Sequence, residues 1–188
     1  TNGGDPMTST PTPEPGERRS LSGHQRPHRG ASDVWLTPPA IIAALGPFDL
    51  DPCAAPEPRP WPTADRHITL PDDGLAADWG GAFVWCNPPF GPDAGRWLDR
   101  MAKHGNGIAL CPARTETQWF IHGVWERATS VLFLHGRPHF HHPDGTRGRA
   151  NSGAPIVLVG YGRTADDRLA VCGLPGSHLD LTELGAAR

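Results

Sequence analysis

Residues 82–90 have the sequence AFVWCNPPF, an apolar run followed directly by Asn87, Pro88, Pro89 and Phe90. A short run rich in valine and aromatic residues predicts a buried strand. The two prolines cannot continue a helix or a ladder of strand hydrogen bonds, and Asn87, which precedes a proline, is held in an extended conformation. We therefore expect a stiff segment at the carboxyl end of a strand, where α/β sheets bind their ligands.

The side chains of this segment suit a planar ring that carries an amino group. The Asn87 side-chain oxygen and the Pro88 carbonyl could accept both hydrogens of the amine and favour a pyramidal nitrogen. Phe90 could stack on the ring, an interaction worth about 1–3 kcal/mol for a base on an aromatic side chain. Because asparagine is neutral, it would orient and polarise the amine without removing a proton. The alternative is a loop capped by Asn87, with prolines that only terminate the strand.

The remaining residue patterns alternate between strand and helix. They predict strands at residues 48–51, 107–111, 131–134 and 156–159, helices at 37–46, 93–104 and 116–127, and a proline-rich loop at 56–66. Strands that alternate with helices are typical of βαβ units, so we expect an α/β fold with a mostly parallel sheet. Because only a loop joins the last two strands, we also expect an antiparallel pair at the sheet edge.

Composition divides the chain of 188 residues into two parts. Residues 1–32 are rich in proline, arginine and glycine and have scarcely an apolar side chain. Such a segment buries too little surface to offset the entropy of ordering it. We therefore expect a disordered tail at residues 1–32 and one folded domain at residues 33–188.

Cysteine usage and net charge limit the cellular context. Cys53, Cys86, Cys111 and Cys172 form no C-x-x-C pair, and no secretory or membrane-spanning apolar run is present in the sequence. Reduced thiols and a cytoplasmic protein without a membrane partner are expected, with Cys86 and Cys111 acting as small buried side chains. The net charge of −3 argues against a nucleic-acid partner unless positive charge is concentrated on one face.

Three segments in a fixed order resemble a known family. They are TPP at residues 37–39, DLDPCAA at 49–55 and NPPF at 87–90, and together they resemble the S-adenosylmethionine-dependent DNA adenine amino-methyltransferases, in the motif order of the gamma-type enzymes of restriction–modification systems. The small phage-encoded DNA N-6-adenine methyltransferases are more similar still. They share Trp35, DGL at 73–75, WCNPP at 85–89, PART at 112–115 and GR at 136–137.

The resemblance implies a Rossmann-like class I methyltransferase fold with a mostly parallel central sheet and an antiparallel edge strand. The domain would be reduced in size, because only 35 residues separate Asp51 from Asn87. The implied reaction transfers a methyl group from S-adenosyl-L-methionine to the exocyclic amine of an adenine in DNA, in a bacterial or phage-infected cell. Since a paired adenine cannot reach such a site, the base must be flipped out or unpaired.

The resemblance also implies cofactor-binding residues. Thr37, Pro38, Asp51 and Pro52 would line the methionine end, where a carboxylate complements the cationic amino and sulfonium groups. Asp73 would accept a hydrogen bond from the amino group of the cofactor's adenine. The alternatives are a helix or turn cap for Asp51 and an Asp-Gly turn at Asp73.

The most basic ordered-looking stretch is residues 135–149, HGRPHFHHPDGTRGR. Arginine suits phosphate oxygens and base edges, so we expect Arg137, Arg147 and Arg149 of this stretch to contact DNA. Arg114, which follows the carboxyl end of the strand predicted at 107–111, should lie on the same side of the domain and contact DNA as well. Histidines that adjoin one another on a Pro/Gly loop lack the spacing of a metal site, so no metal is expected. A solvated loop without a role is the alternative.

Two other functions fit the same motifs. The sequence N-P-P-aromatic also serves N-methyltransferases that act on an RNA base or on a protein glutamine, since both present a planar nitrogen. A non-catalytic DNA-binding relative that retains the fold is the other alternative. The oligomeric state is not predicted.

Overall fold

The computed structural model describes residues 34–91 and 93–182, so the tail predicted at 1–32 lies outside the described residues. The strands are β1 Leu50–Asp51, β2 Arg66–His67, β3 Val84–Cys86, β4 Gly107–Pro112, β5 Ser130–Leu134, β6 Ile156–Tyr161 and β7 Gly176–Asp180. The helices are α1 Pro39–Leu45, α2 Ala94–His104, α3 Gln118–Phe120, which continues as a π-helical turn over Ile121–Trp125, and α4 Arg163–Val171.

The strands form one seven-stranded sheet in the order β2-β1-β3-β4-β6-β5-β7. β1 pairs in parallel with β2 and β3, and β3 with β4. β6 is antiparallel to both β4 and β5, and β7 is antiparallel to β5. The expected α/β class and the parallel centre of the sheet are confirmed, and so is the antiparallel pairing of β5 with β6.

The expected position of the antiparallel pair was wrong. β6 lies inside the sheet between β4 and β5, and the edge strand is β7, which the sequence pattern did not predict. All six residues of β6 are buried, as an apolar strand covered on both faces requires. β7, with the sequence GSHLD, is half exposed, so it lacks the apolar run that identifies a strand.

Apolar side chains fill both faces of the sheet. Along β3, Val84 and Cys86 pack into one cluster with α2 and the α3 region, while Trp85 points to the other, with α1 and α4. Successive residues of a strand face opposite sides, so this short strand supports both layers. The result is a sheet with helices on its two faces.

The chain passes from β1 to β2 on one side and then returns to β3 on the other side of β1. Such a reversal of strand order opens a crevice at the carboxyl ends of β1 and β3. Asp51 is the last residue of β1, and Asn87 follows the last residue of β3. The sheet topology therefore brings together two residues that are far apart in the sequence.

Candidate functional site

Asn87 contributes an unsatisfied hydrogen-bond acceptor to the crevice. Its side-chain oxygen is buried and has no hydrogen-bond partner among the described residues. Pro88 is buried, whereas Pro89 is exposed and the Phe90 ring is 49% exposed. A buried acceptor without a partner costs about 1–3 kcal/mol, so this oxygen marks a place where a ligand hydrogen-bond donor would be stabilised.

Asp51 contributes a buried carboxylate that has no salt-bridge partner among the described residues. It is 4% exposed. Its Oδ1 accepts a hydrogen bond from the Cys53 backbone N–H at 3.1 Å, and its Oδ2 accepts one from the Thr63 hydroxyl at 2.5 Å. Burial raises the pKa of Asp51 to about 6, although the hydrogen bonds from Thr63 and Cys53 oppose this rise. Asp51 thus caps a turn, as the alternative interpretation held, and a bound cation would stabilise its ionised form.

Thr63 and His67 support Asp51, and the sequence pattern identified neither of them. The His67 Nε2 atom accepts hydrogen bonds from the backbone N–H groups of Thr63 at 3.2 Å and Ala64 at 3.3 Å. Burial and the nearby Arg59 lower the pKa of His67, so the ring is neutral and able to accept. His67 lies opposite Asp51 in the β1–β2 pairing, in a two-residue strand too short to leave a sequence pattern.

Thr37 contributes a second unsatisfied polar atom, its buried hydroxyl, which has no partner among the described residues. Pro38 is the N-cap residue of α1, so the helix does not use the Thr37 hydroxyl as a cap. The Thr37 carbonyl accepts a hydrogen bond from Trp61 Nε1 at 3.2 Å. Because Thr63 binds Asp51 only two residues further on, the segment 61–63 holds Thr37 and Asp51 in the same region.

Asp73 lies on an exposed turn that packs against the end of β1. Its Oδ1 accepts hydrogen bonds from the backbone of Leu75 at 2.9 Å and Ala76 at 3.4 Å, which is the Asp-Gly turn of the alternative interpretation. A Cβ atom on Gly74 would lie 1.8 Å from the Pro52 carbonyl oxygen, so only glycine allows this close approach. The turn is therefore held beside the crevice, and the Asp73 Oδ2 atom has no hydrogen-bond partner among the described residues.

Cys53 and Cys86 connect the ends of β1 and β3, with their sulfur atoms 3.7 Å apart. The contact with Cys86 and burial raise the pKa of the Cys53 thiol well above its usual range, so the thiol stays protonated. Cys86 and Cys111 are fully buried and all four cysteines are free, as predicted. Of the four thiols, those of Cys53 and Cys86 lie beside the crevice, at the ends of β1 and β3.

The predicted basic residues lie at the end of the sheet that holds the crevice. Arg114 follows β4, and residues 135–155, here called the β5–β6 loop, connect the carboxyl end of β5 to β6. The Ala113 N–H donates to the Pro155 carbonyl at 2.9 Å, which joins the two regions. The arginines are all exposed and form no ion pair within residues 34–91 and 93–182; they are Arg114, Arg137, Arg147 and Arg149.

The histidines of the β5–β6 loop are engaged in structural contacts. The His139 Nδ1 atom lies 3.1 Å from the Gly148 carbonyl oxygen, and the His141 ring packs edge-on against Trp61. Across the described part of the chain, no three His, Cys, Asp or Glu side chains are grouped so that they could hold a metal ion.

A seven-stranded α/β sheet with a polar crevice at the ends of β1 and β3 is consistent with a methyltransferase-like fold. Comparison with known families gives a match to DNA N-6-adenine-methyltransferase (Dam) over residues 25–170, so the chain belongs to this family. The match confirms the resemblance noted in the sequence. Comparison with curated proteins and with solved structures gives no match. No helix within the described residues has the length and apolarity needed to cross a membrane.

Proposed function

We propose that the chain is an S-adenosyl-L-methionine-dependent DNA (adenine-N6) methyltransferase with a Rossmann-like class I fold. Its substrate would be the exocyclic amine of an adenine that is flipped out of a duplex or unpaired. The observation that carries this proposal is the buried Asn87 side-chain oxygen, which has no partner in the described part of the chain and lies at the strand end where the family's NPPF motif is. Membership in the DNA N-6-adenine-methyltransferase family supports the choice of base.

On the substrate side, the segment 87–90 would bind and activate the adenine. The Asn87 Oδ1 atom and the Pro88 carbonyl would each accept one hydrogen of the amine. An amine nitrogen held in this way becomes pyramidal, and its lone pair is less delocalised into the ring. The exposed Phe90 ring would stack on the base. No side chain of this segment is a base, so the proton would leave to solvent at the exposed end of the segment.

On the cofactor side, the unsatisfied polar groups of the crevice fit a small ligand with a cationic end. S-adenosyl-L-methionine supplies a methyl group that its sulfonium centre has already activated. The buried carboxylate of Asp51 would complement the positive charge, and the Thr37 hydroxyl, unpaired within residues 34–91 and 93–182, would donate or accept a hydrogen bond. Pro38 and Pro52 would contribute stiff apolar walls. The Asp73 Oδ2 atom would accept a hydrogen bond from the amino group of the cofactor's adenine.

Catalysis would then depend on placement, hydrogen-bond acceptance and exclusion of water. Asn87 contributes most when the amine nitrogen becomes pyramidal, so its oxygen would stabilise the transition state more than the bound substrate. The buried position of Asn87 Oδ1 makes this hydrogen bond stronger than it would be in water.

The test is mass spectrometry of nucleosides from DNA incubated with the protein and S-adenosyl-L-methionine. N6-methyladenine is expected with the wild-type protein, and its formation should be about 10²–10³ times slower with Asn87→Ala. Parallel reactions with RNA and with a glutamine-containing protein address the two other planar nitrogens. Absence of N6-methyladenine with the wild-type protein, on both single-stranded and duplex DNA, would overturn the proposal.

A further inference from the structure

Two aromatic rings of the described residues project into solvent beside the crevice. Trp35 is 44% exposed and Phe90 is 49% exposed, whereas the other large apolar side chains with high exposure are aliphatic. Trp79 and Trp85, by contrast, are fully buried in the core. An exposed tryptophan loses the hydrophobic stabilisation of burial, so the position of Trp35 calls for a role outside the core.

The two rings are held against the same part of the β5–β6 loop. Phe90 packs edge-on against Phe140, with ring centroids 6.1 Å apart. Trp35 lies 4.8 Å from the His142 ring, and a Cβ atom on Gly148 would lie 3.2 Å from the Trp35 ring. The Gly148 N–H donates to the Phe140 carbonyl at 2.8 Å. Gly148, which contacts Trp35, is thus hydrogen-bonded to Phe140, which contacts Phe90.

Backbone hydrogen bonds and ring contacts hold this arrangement in place. Leu36 and His141 exchange two backbone hydrogen bonds, of 2.9 and 3.0 Å, which anchor the residue next to Trp35 to the loop. Trp61 packs against His141 and donates to the Thr37 carbonyl. A surface whose rings are already in place loses little conformational entropy when it binds.

Two exposed arginines lie on the part of the loop that supports Trp35. Arg147 and Arg149 flank Gly148, which lies under Trp35, and both side chains are exposed. The one carboxylate of the loop, Asp144, accepts hydrogen bonds from the backbone and hydroxyl of Thr146. Burial, followed by the influence of Arg147, lowers the pKa of His141, so this ring adds no positive charge at neutral pH. Exposed aromatic rings with arginines nearby are typical of surfaces that bind single-stranded nucleic acid.

We infer that Trp35 is a second base-stacking residue and that the protein binds unpaired DNA in preference to a closed duplex. This inference rests on the proposed function, since it takes Phe90 to stack on the target adenine. Trp35 would then stack on a neighbouring base of the same strand, while Arg147 and Arg149 bind its phosphates.

The preference for unpaired DNA follows from the presence of two rings. A base inside a duplex has both faces covered, so stacking on a protein ring requires that it leaves the helix, which costs the free energy of unpairing and unstacking. Two rings require two unstacked bases, and this cost is paid twice in a duplex. In a single strand it is small.

The experiment measures binding of fluorescent oligonucleotides by anisotropy, without methyl transfer. Wild-type protein, Trp35→Leu and Trp35→Phe are compared on one adenine-containing sequence as single-stranded DNA, as a duplex and as RNA. Leucine retains apolar contact with Gly148 and His142 but has no ring, whereas phenylalanine retains a stacking face. Thermal melting of each variant reports whether its fold is intact.

We expect Trp35→Leu to weaken single-strand binding about tenfold, as expected from the loss of one base–aromatic stack, and Trp35→Phe to retain most of it. Duplex binding should be weaker and little affected by either variant. If Trp35→Leu melts early, 2-aminopurine placed next to the target adenine replaces it as the probe, since stacking on Trp35 quenches its fluorescence in the wild-type protein.

Three results would overturn the inference: equal affinity for single strand and duplex, single-strand binding unchanged in a folded Trp35→Leu protein, or tighter binding of RNA. If any of these occurs while the wild-type protein still forms N6-methyladenine, the proposed function stands and only the role of Trp35 falls. If single-strand binding depends on Trp35 but no DNA is methylated, the proposed function falls and the binding surface stands.

Discussion

The crevice between β1 and β3 and the β5–β6 loop lie at the same edge of the sheet, but they differ in burial and charge. In the crevice, Asp51 and Thr37 are 4% and 2% exposed, and the Asn87 and Thr37 oxygens lack partners among the described residues. In the loop, the arginines are exposed. Buried electrostatic interactions are strong because the local dielectric is low and salt screens them little, whereas exposed charges act on a polyanion and are screened by salt. Substitutions in the crevice should therefore change rate and cofactor binding, and those in the loop should change DNA affinity.

The largest effect is expected from Asn87→Ala. Loss of a hydrogen-bond acceptor that acts in the transition state should lower kcat by about 10²–10³, while cofactor affinity stays unchanged. Single-turnover methyl transfer and isothermal calorimetry measure the two quantities. Asn87→Asp, which keeps an acceptor oxygen, should retain part of the activity. A wild-type rate in Asn87→Ala would remove Asn87 from the reaction.

The second largest effect is expected from removal of the positive charges of the β5–β6 loop. If Arg137, Arg147 and Arg149 bind three phosphates, the triple alanine variant should bind single-stranded DNA roughly 50-fold more weakly at 0.15 M salt, and the slope of log K against log salt should fall by about 2. Cofactor affinity should not change. The matched control is Arg163→Ala on α4, an exposed arginine that is paired with Asp167. An unaltered salt slope in the triple variant would place the DNA elsewhere.

Asp51→Asn should separate cofactor binding from stability. The variant keeps the shape of the side chain but loses its charge, so cofactor binding should weaken tenfold or more, the free energy of about one charge-assisted hydrogen bond. Calorimetry at pH 7.5 provides the measurement. Wild-type affinity in the folded variant would exclude Asp51 from the cofactor site.

The stability of the same variant has a defined pH dependence. The pKa of Asp51 rises on folding from 3.8 to about 6, so its contribution to stability is fully present below pH 3.8 and is lost as the pH rises through about 6. At neutral pH the buried charge costs on the order of 2–3 kcal/mol. In urea unfolding without cofactor, Asp51→Asn should be more stable than wild type at pH 7.5 and not at pH 4. An equal difference at both pH values would contradict this assignment of the pKa.

The smallest effect is expected from Thr63→Val. The Thr63 hydroxyl lowers the pKa of Asp51, so its removal should raise that pKa further and move the pH midpoint of cofactor binding upward. The loss of affinity should be a few-fold near pH 6.5 and smaller at pH 8, where Asp51 is ionised in both proteins. Thr63→Ser retains the hydroxyl and should behave like wild type. A loss of affinity that is independent of pH would indicate a packing effect instead.

Much of the fold could be predicted from local patterns. The helix at residues 93–104 and the strand at 107–111 correspond closely to α2 and β4, because their apolar residues have regular spacing and prolines or glycines mark their ends. The predicted helix at 116–127 contains only the short α3 and a π-helical turn. There Gly123 packs so closely on α2 that a Cβ atom would lie 2.8 Å from Leu98 Cβ, a constraint that depends on a residue 25 positions away.

Some residues of the candidate site could likewise be predicted from local patterns and others could not. The sequence singled out Asn87, Asp51 and Thr37, but it gave no sign of Thr63 and His67, which lie in a proline-rich segment without periodicity. Trp35 appeared in the sequence only as part of a motif, without a role. Its exposure and its contact with Gly148 depend on how the β5–β6 loop folds back over the start of α1.

The α/β class, the stiff segment at residues 87–90 and the resemblance to the family could be read from the residues alone, because proline geometry and the periodicity of apolar residues act between neighbours in the chain. Three features became evident only in the folded protein: β6 lies between β4 and β5, Asp51 is buried with Thr63 as its partner, and Trp35 and Phe90 share one support. These features depend on strand pairing and on the exclusion of water between distant segments, so no local pattern of residues records them.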